Sequence, residues 1–150
     1  MHTGICPLDP LSITASAIAV ATLAAKLCSI LAEIREQCTA LPGRLHAVNN
    51  EIQDLRVVLE QVAAVVKEHK AHNVHGDVES KIPELLWQGR DRLLALQHLL
   101  SRVQGVGLRK RELFFRTVLW KKQQGTLAVL QGDIKRVKSS LNVLLGVSNS

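Results

Sequence analysis

Tyrosine is absent from this 150-residue chain and aromatic residues make up 3% of it, with two Trp, two Phe, one Met and three Cys. A core without Trp, Tyr and Phe must be aliphatic, and hydrophobic residues at 47% supply enough Leu, Val, Ile and Ala for one. A single domain of this length buries about 70% of its unfolded surface and needs no covalent staple. Alternating apolar and polar runs, the mark of a half-buried strand, are also missing. The β-branched residues stand at isolated positions, while Leu and Ala favour helix. Cys6, Cys28 and Cys38 are odd in number, where a secreted disulfide framework is usually even, and lack paired metal-ligand spacing, which points to the cytosol. Cys28 has no His or basic neighbour in sequence and reads as a small packed hydrophobe.

What is present is helical period. Asp9-Pro10 reads as an N-cap followed by Pro at the first helical position, after a flexible leader over residues 1–9. The first helix, about residues 10–39, has a three-four apolar rhythm at Ile13, Ser16, Val20, Leu23, Leu27, Ile30 and Ile34. Leu41-Pro42-Gly43 breaks it. A second helix, about 42–70, repeats the rhythm at Leu45, Val48, Ile52, Leu55, Leu59, Val62 and Val66, with Arg44, Glu51, Asp54, Arg56, Glu60 and Lys67 on other faces. Residues 69–80 read as a polar connection. The third helix, about 80–104, carries Leu86, Leu93, Leu96, Leu100 and Val103, with Gly89 at the missed step, and Gly105 and Gly107 end it. A last helix, about 121–145, uses Leu127, Leu130, Ile134, Val137, Leu141 and Leu144 and closes at Gly146; a short additional helix falls near 112–119. Four amphipathic helices joined by short connections predict an all-α, antiparallel four-helix bundle in one domain.

Sites of chemistry are scarce. No Gly-rich loop follows a strand, and the carboxylate pairs Glu33/Glu36 and Glu51/Asp54 fall on outward helix faces, so no catalytic activity and no cofactor are expected. His69, His72 and His75 recur every third residue, but Asn73 and Gly76 interrupt any helix through them and no metal site is expected; His46 and His98 stand alone on amphipathic helices.

Two features rise above this background. The first helix is uncharged from Pro10 to Ala25, and Lys26 is its only charge through Ala32. Twenty-three residues at about 1.5 Å each reach across a hydrocarbon core of about 30 Å. Small residues recur at four-residue spacing in the rows Ser12/Ser16, Ala15/Ala19 and Ala17/Ala21/Ala25, which permit close helix approach in lipid. Leu11, Ile13, Ala17, Ile18, Val20, Ala21, Leu23 and Leu27 are the candidate membrane-inserting residues. A central bundle helix has the same composition. Second, the net charge of +6 is lopsided. Residues 1–75 carry six Lys/Arg against seven Asp/Glu, and residues 76–150 carry thirteen against six. Arg109, Lys110, Arg111, Arg116, Lys121 and Lys122 interleave with Phe114, Phe115 and Trp120, a composition suited to an anionic membrane surface. No helix-turn-helix, RNP or zinc-finger pattern accompanies them, so nucleic acid is not the expected partner.

The opening DPLSITASAIAV, the stretch LPGRLHAVNNEIQDLRVVL and the late W-K-K…SSLNVLL together resemble the N-terminal domains of fungal NLR-like (STAND) and ankyrin-repeat proteins, the HeLo-like group. The resemblance runs from Asp9 to Leu145, and Asp9-Pro10-Leu11-Ser12-Ile13 is its most specific piece. It implies a signalling or effector module in programmed cell death or heterokaryon incompatibility, ordinarily followed by a nucleotide-binding or repeat region. Such a module would self-associate and be recruited from the cytoplasm to the plasma membrane, with Leu11–Ala32 as the inserting segment. The glycine zipper of pore-forming relatives is replaced here by Ala and Ser. The competing expectation is an oligomerisation module that acts on protein partners without any membrane step.

Overall fold

The structure is a computed structural model that describes residues 10–37, 43–69, 76–104 and 124–149. All of these are helical: α1 (Pro10–Gln37), α2 (Gly43–His69), α3 (Gly76–Gln104) and α4 (Gln124–Asn149). The four helices enclose one core of Leu, Ile, Val and Ala, and no polar or charged residue among those described is buried in it. The all-α bundle expected from the three-four rhythm is therefore the fold.

Helix directions follow from reach and from register. Five residues separate α1 from α2, and at most about 3.6 Å per residue they cannot run back along a helix of about 40 Å, so the pair is antiparallel. Arg44 donates to Gln131 at 2.9 Å and Lys138 to Glu51 at 2.5 Å. Both pairs lie 87 positions apart, so α2 and α4 run parallel. Arg92 meets Asp133 at 3.5 Å, whereas a Cβ built on Gly89 would meet Val137 at 3.5 Å. Numbers fall along α3 as they rise along α4, which makes that pair antiparallel. Helix α1 packs against α2 and α3, α4 packs against the same two, and α1 and α4 face each other across the core. Consecutive helices are thus antiparallel, while two of the four lateral contacts, α2 with α4 and α1 with α3, are parallel.

The seam is as expected on α2, where all seven rhythm positions are buried, but it is displaced on α1. Ser16 is exposed and Leu23 only half-buried, and Ala17, Ala21, Ala24 and Leu31 take buried positions instead. Ala17, Ala21, Ala24 and Cys28 form a row at three-four spacing, and Cys28 feels the charge of Arg56 on α2. That row therefore faces α2, and its small side chains let α2 approach closely, which turns α1 toward its more extensive neighbour.

The ends also differ from expectation. Helix α3 begins at Gly76, so residues 76–80 belong to the helix rather than to the connection, and Pro83 lies in its interior. Pro83 has no N–H for the Glu79 carbonyl, one bond fewer in a turn that packing retains. Helix α4 begins at Gln124 and continues past the exposed Gly146 to Asn149, because nothing there demands a left-handed backbone. Near its end Leu145 is buried and Leu144 packs half-buried against the core, a one-residue shift from the expected position. Gly89 is buried where α3 passes Val137 of α4 and Val20 of α1, so the missed apolar step is a close approach.

Candidate functional site

The candidate site is α1, whose two long faces differ in kind. Inward, Ile13, Ala17, Val20, Ala21, Leu27, Ile30 and Ile34 are buried. Outward, Ser12, Ala15, Ser16, Ile18, Ala19, Thr22, Lys26 and Ser29 are exposed, with Ile18 at 53%. Thr22 spends its hydroxyl within the helix by donating to the Ile18 carbonyl at 2.8 Å, which leaves that surface with one charge over five turns. The span Ser12–Glu36 contains an 18-residue window of mean hydropathy 1.9, and α1 is the one helix among the described residues long and apolar enough to cross a membrane.

The candidate inserting residues are thereby divided. Ile13, Ala17, Val20, Ala21 and Leu27 are core residues, Leu23 is half-buried against the core, Ile18 is on the surface, and the side chain of Leu11 lies outside the described residues. Most of them are therefore buried in the bundle core. The candidate anionic-surface residues, Arg109, Lys110, Arg111, Arg116, Lys121 and Lys122, all lie outside the described residues, as does the expected short helix near 112–119. His72 and His75 lie outside them too; His46 and His98 are exposed, and no group of three potential metal ligands occurs among the described residues.

How α1 is attached separates it from the other helices. Among the described residues, no side-chain hydrogen bond or ion pair joins α1 to another helix. By contrast, α4 is tied to α2 by Arg44 with Gln131 and by Lys138 with Glu51 and Asp54, and to α3 by Arg92 with Asp133. Arg92 also pairs with Asp91, and Arg136 braces Asp133 from its own helix at 3.1 Å. Glu51 is a correction to the sequence reading: it is not solvated on an outward face but turned into the α2–α4 seam, its side chain 12% exposed, because Lys138 is there to receive it. The hydrogen bond to Glu51 and then its charge hold the Lys138 ammonium above its ordinary value, against burial, with Asp54 adding to the effect.

The α1–α2 contact has the opposite character. Burial pushes the Cys28 thiol up, and the Arg56 guanidinium only partly offsets it, so Cys28 is a poor nucleophile packed on the core. Arg56 lies on another helix, and no local signal around Cys28 announces it. Two helical turns before Arg56, on the same face of α2, Asn49 holds a buried Oδ1 with no hydrogen-bond partner. An orphaned acceptor of this kind costs about 1–3 kcal/mol.

No protein-family model, no curated protein and no solved structure matches the chain.

Proposed function

We propose that this bundle is a signalling and effector domain of the HeLo-like kind, serving regulated cell death or non-self recognition through oligomerisation and membrane targeting by α1. The observation that carries the reading is that, among the described residues, α1 is attached by apolar packing without a polar tie to another helix, beneath an outward face with Lys26 as its sole charge over residues 12–32. A helix held in this way leaves behind no broken ion pair and no stranded buried charge when it departs. In water, departure exposes Ile13, Val20 and Leu27, each a loss of about 1.5–3 kcal/mol, so the closed bundle prevails. In a bilayer the same side chains are solvated by lipid, and the rows of Ala and Ser allow copies of α1 to approach one another. The bundle is thus the store and the membrane the sink of a two-state element. In a cell the closed form is cytoplasmic and the open form reaches the plasma membrane, triggered through a nucleotide-binding or repeat region where one follows.

Dye release from vesicles containing phosphatidylglycerol tests this with the chain forced to oligomerise by a fused inducible dimeriser. Leakage is expected from the native sequence and its loss from Ile18→Glu, which leaves the core intact. Absence of leakage, or leakage indifferent to Ile18→Glu, overturns the membrane reading. A discrete oligomer that forms without lipid and ignores it would put the protein-interaction module in its place.

A further inference from the structure

Trp87 is the only aromatic among the described residues, and it is spent on the surface, 63% exposed, while the described core is aliphatic throughout. Beside it, α1 and α3 part to leave a groove of about 270 Å³ lined by Ile13, Ser16, Ala19, Val20, Leu86 and Trp87, with Pro83 and Ser12 at its margins and Arg90 at its rim. Arg90 is the one charged residue on this lining; no acid faces it. Among the described residues it makes no ion pair or side-chain hydrogen bond, whereas its neighbour Arg92 has two carboxylate partners. The groove is apolar along its floor, ends at an unspent guanidinium and is flanked by an amphipathic indole, the side chain suited to a boundary between hydrocarbon and water.

Its size selects the occupant. From Ser12 to Val20 the groove runs about 12 Å, and a volume of about 270 Å³ spread over that length is slender enough to suit a single hydrocarbon chain. The geometry points to a seat for a single anionic lipid, its acyl chain laid between α1 and α3 against Ile13, Val20 and Leu86, with Trp87 alongside and its phosphate on Arg90. The seat belongs to the closed bundle, since both walls are needed. It deepens the membrane reading by naming the lipid that first docks, and rests on it only for the choice of a lipid over another anionic amphiphile.

The test contains no bilayer. A full chain bearing Trp120→Phe leaves Trp87 as the sole tryptophan, and its emission is followed while short-chain lysophosphatidylglycerol is added below the micelle concentration. The expected result is a blue shift that saturates at one lipid per chain, about tenfold weaker binding of lysophosphatidylcholine, a tenfold step being the usual worth of one charge-assisted contact, and no shift with glycerol phosphate. Arg90→Gln should lose that tenfold preference, and Ala19→Phe, at an exposed position on the groove wall, should abolish the shift without altering the unfolding transition. An unmoved emission, a shift that survives filling of the groove by Ala19→Phe, or equal binding of the two lysolipids overturns the seat. Vesicle leakage that persists when this binding fails leaves the function of α1 standing, and binding that persists when leakage fails leaves the seat standing.

Discussion

Helices α1 and α4 occupy opposite corners of the same bundle and are held there by different physics. Helix α4 buries Leu127, Leu130, Ile134, Val137 and Leu141 and then adds polar ties on both flanks, to α2 through Lys138 and to α3 through Asp133. Helix α1 buries as continuous a stripe and adds none among the described residues, and the α1-facing side of α2 even carries the orphaned Asn49 Oδ1. Apolar packing is strong but indifferent to register, whereas ion pairs and hydrogen bonds specify a partner and are costly to leave unmade. Among the described residues, then, α4 is held by packing and polar ties together and α1 by packing, a contrast that suits the proposed release of α1.

The largest expected effect comes from the core of α1. Leu27→Ala, at a fully buried position, should cost about 2–5 kcal/mol of unfolding free energy by urea titration. In the native chain, amide hydrogen exchange should report a lower opening free energy for α1 than for α4, and Leu27→Ala should widen the gap. Equal opening of α1 and α4 in both proteins breaks the comparison.

Next is the tie on α4. Lys138→Ala leaves the largely buried Glu51 carboxylate unpaired and should cost about 1–3 kcal/mol. The sign of the pH dependence follows from the raised Lys138 pKa: an ammonium stabilised in the folded state contributes fully below its ordinary value of 10.5, and the contribution is lost as pH rises through the folded value. Stability measured from pH 9 upward should therefore fall more steeply in the native protein than in Lys138→Ala. Parallel curves would remove Lys138 from the account.

Of the same order but opposite sign is Asn49→Ala, which deletes the orphaned acceptor and improves helix propensity. It should stabilise the bundle by about 1 kcal/mol, read as a higher urea midpoint. A loss of stability would mean that Asn49 satisfies a need at the α1 face, and α1 would then be tied by more than packing.

The legible and the illegible in the sequence divide along the same line. Helix α2 was fully readable because its seven seam positions are large and its outer face is charged, so period alone fixes which way it points. On α1 the period misled by one row, burying Ser16 and Leu23 in place of Ala17 and Ala24, because alanine is equally at home on either face and only contact with α2 decides. Glu51 reads as solvated since its partner lies 87 positions away, a distance no local pattern bridges. The unusual lack of charge on α1 was plain from the sequence; that its outer face opens a groove beside Trp87 and Arg90 was not, because the groove is made by the parting of two helices.

The smallest expected effect on stability is the most informative about α1. Ile18 stands 53% exposed on a face that touches no other helix through polar groups, so Ile18→Glu should change the unfolding free energy by no more than about 0.5 kcal/mol. In lipid the same carboxylate must sit within a hydrocarbon layer, at a cost of about 2.5–3.5 kcal/mol for each inserted helix. A residue that matters only in the bilayer would therefore be silent in urea and decisive in the leakage assay. If Ile18→Glu instead destabilises the soluble bundle by several kcal/mol, its side chain is covered in solution, and the uncharged face of α1 is an interface between copies rather than a surface held ready for lipid.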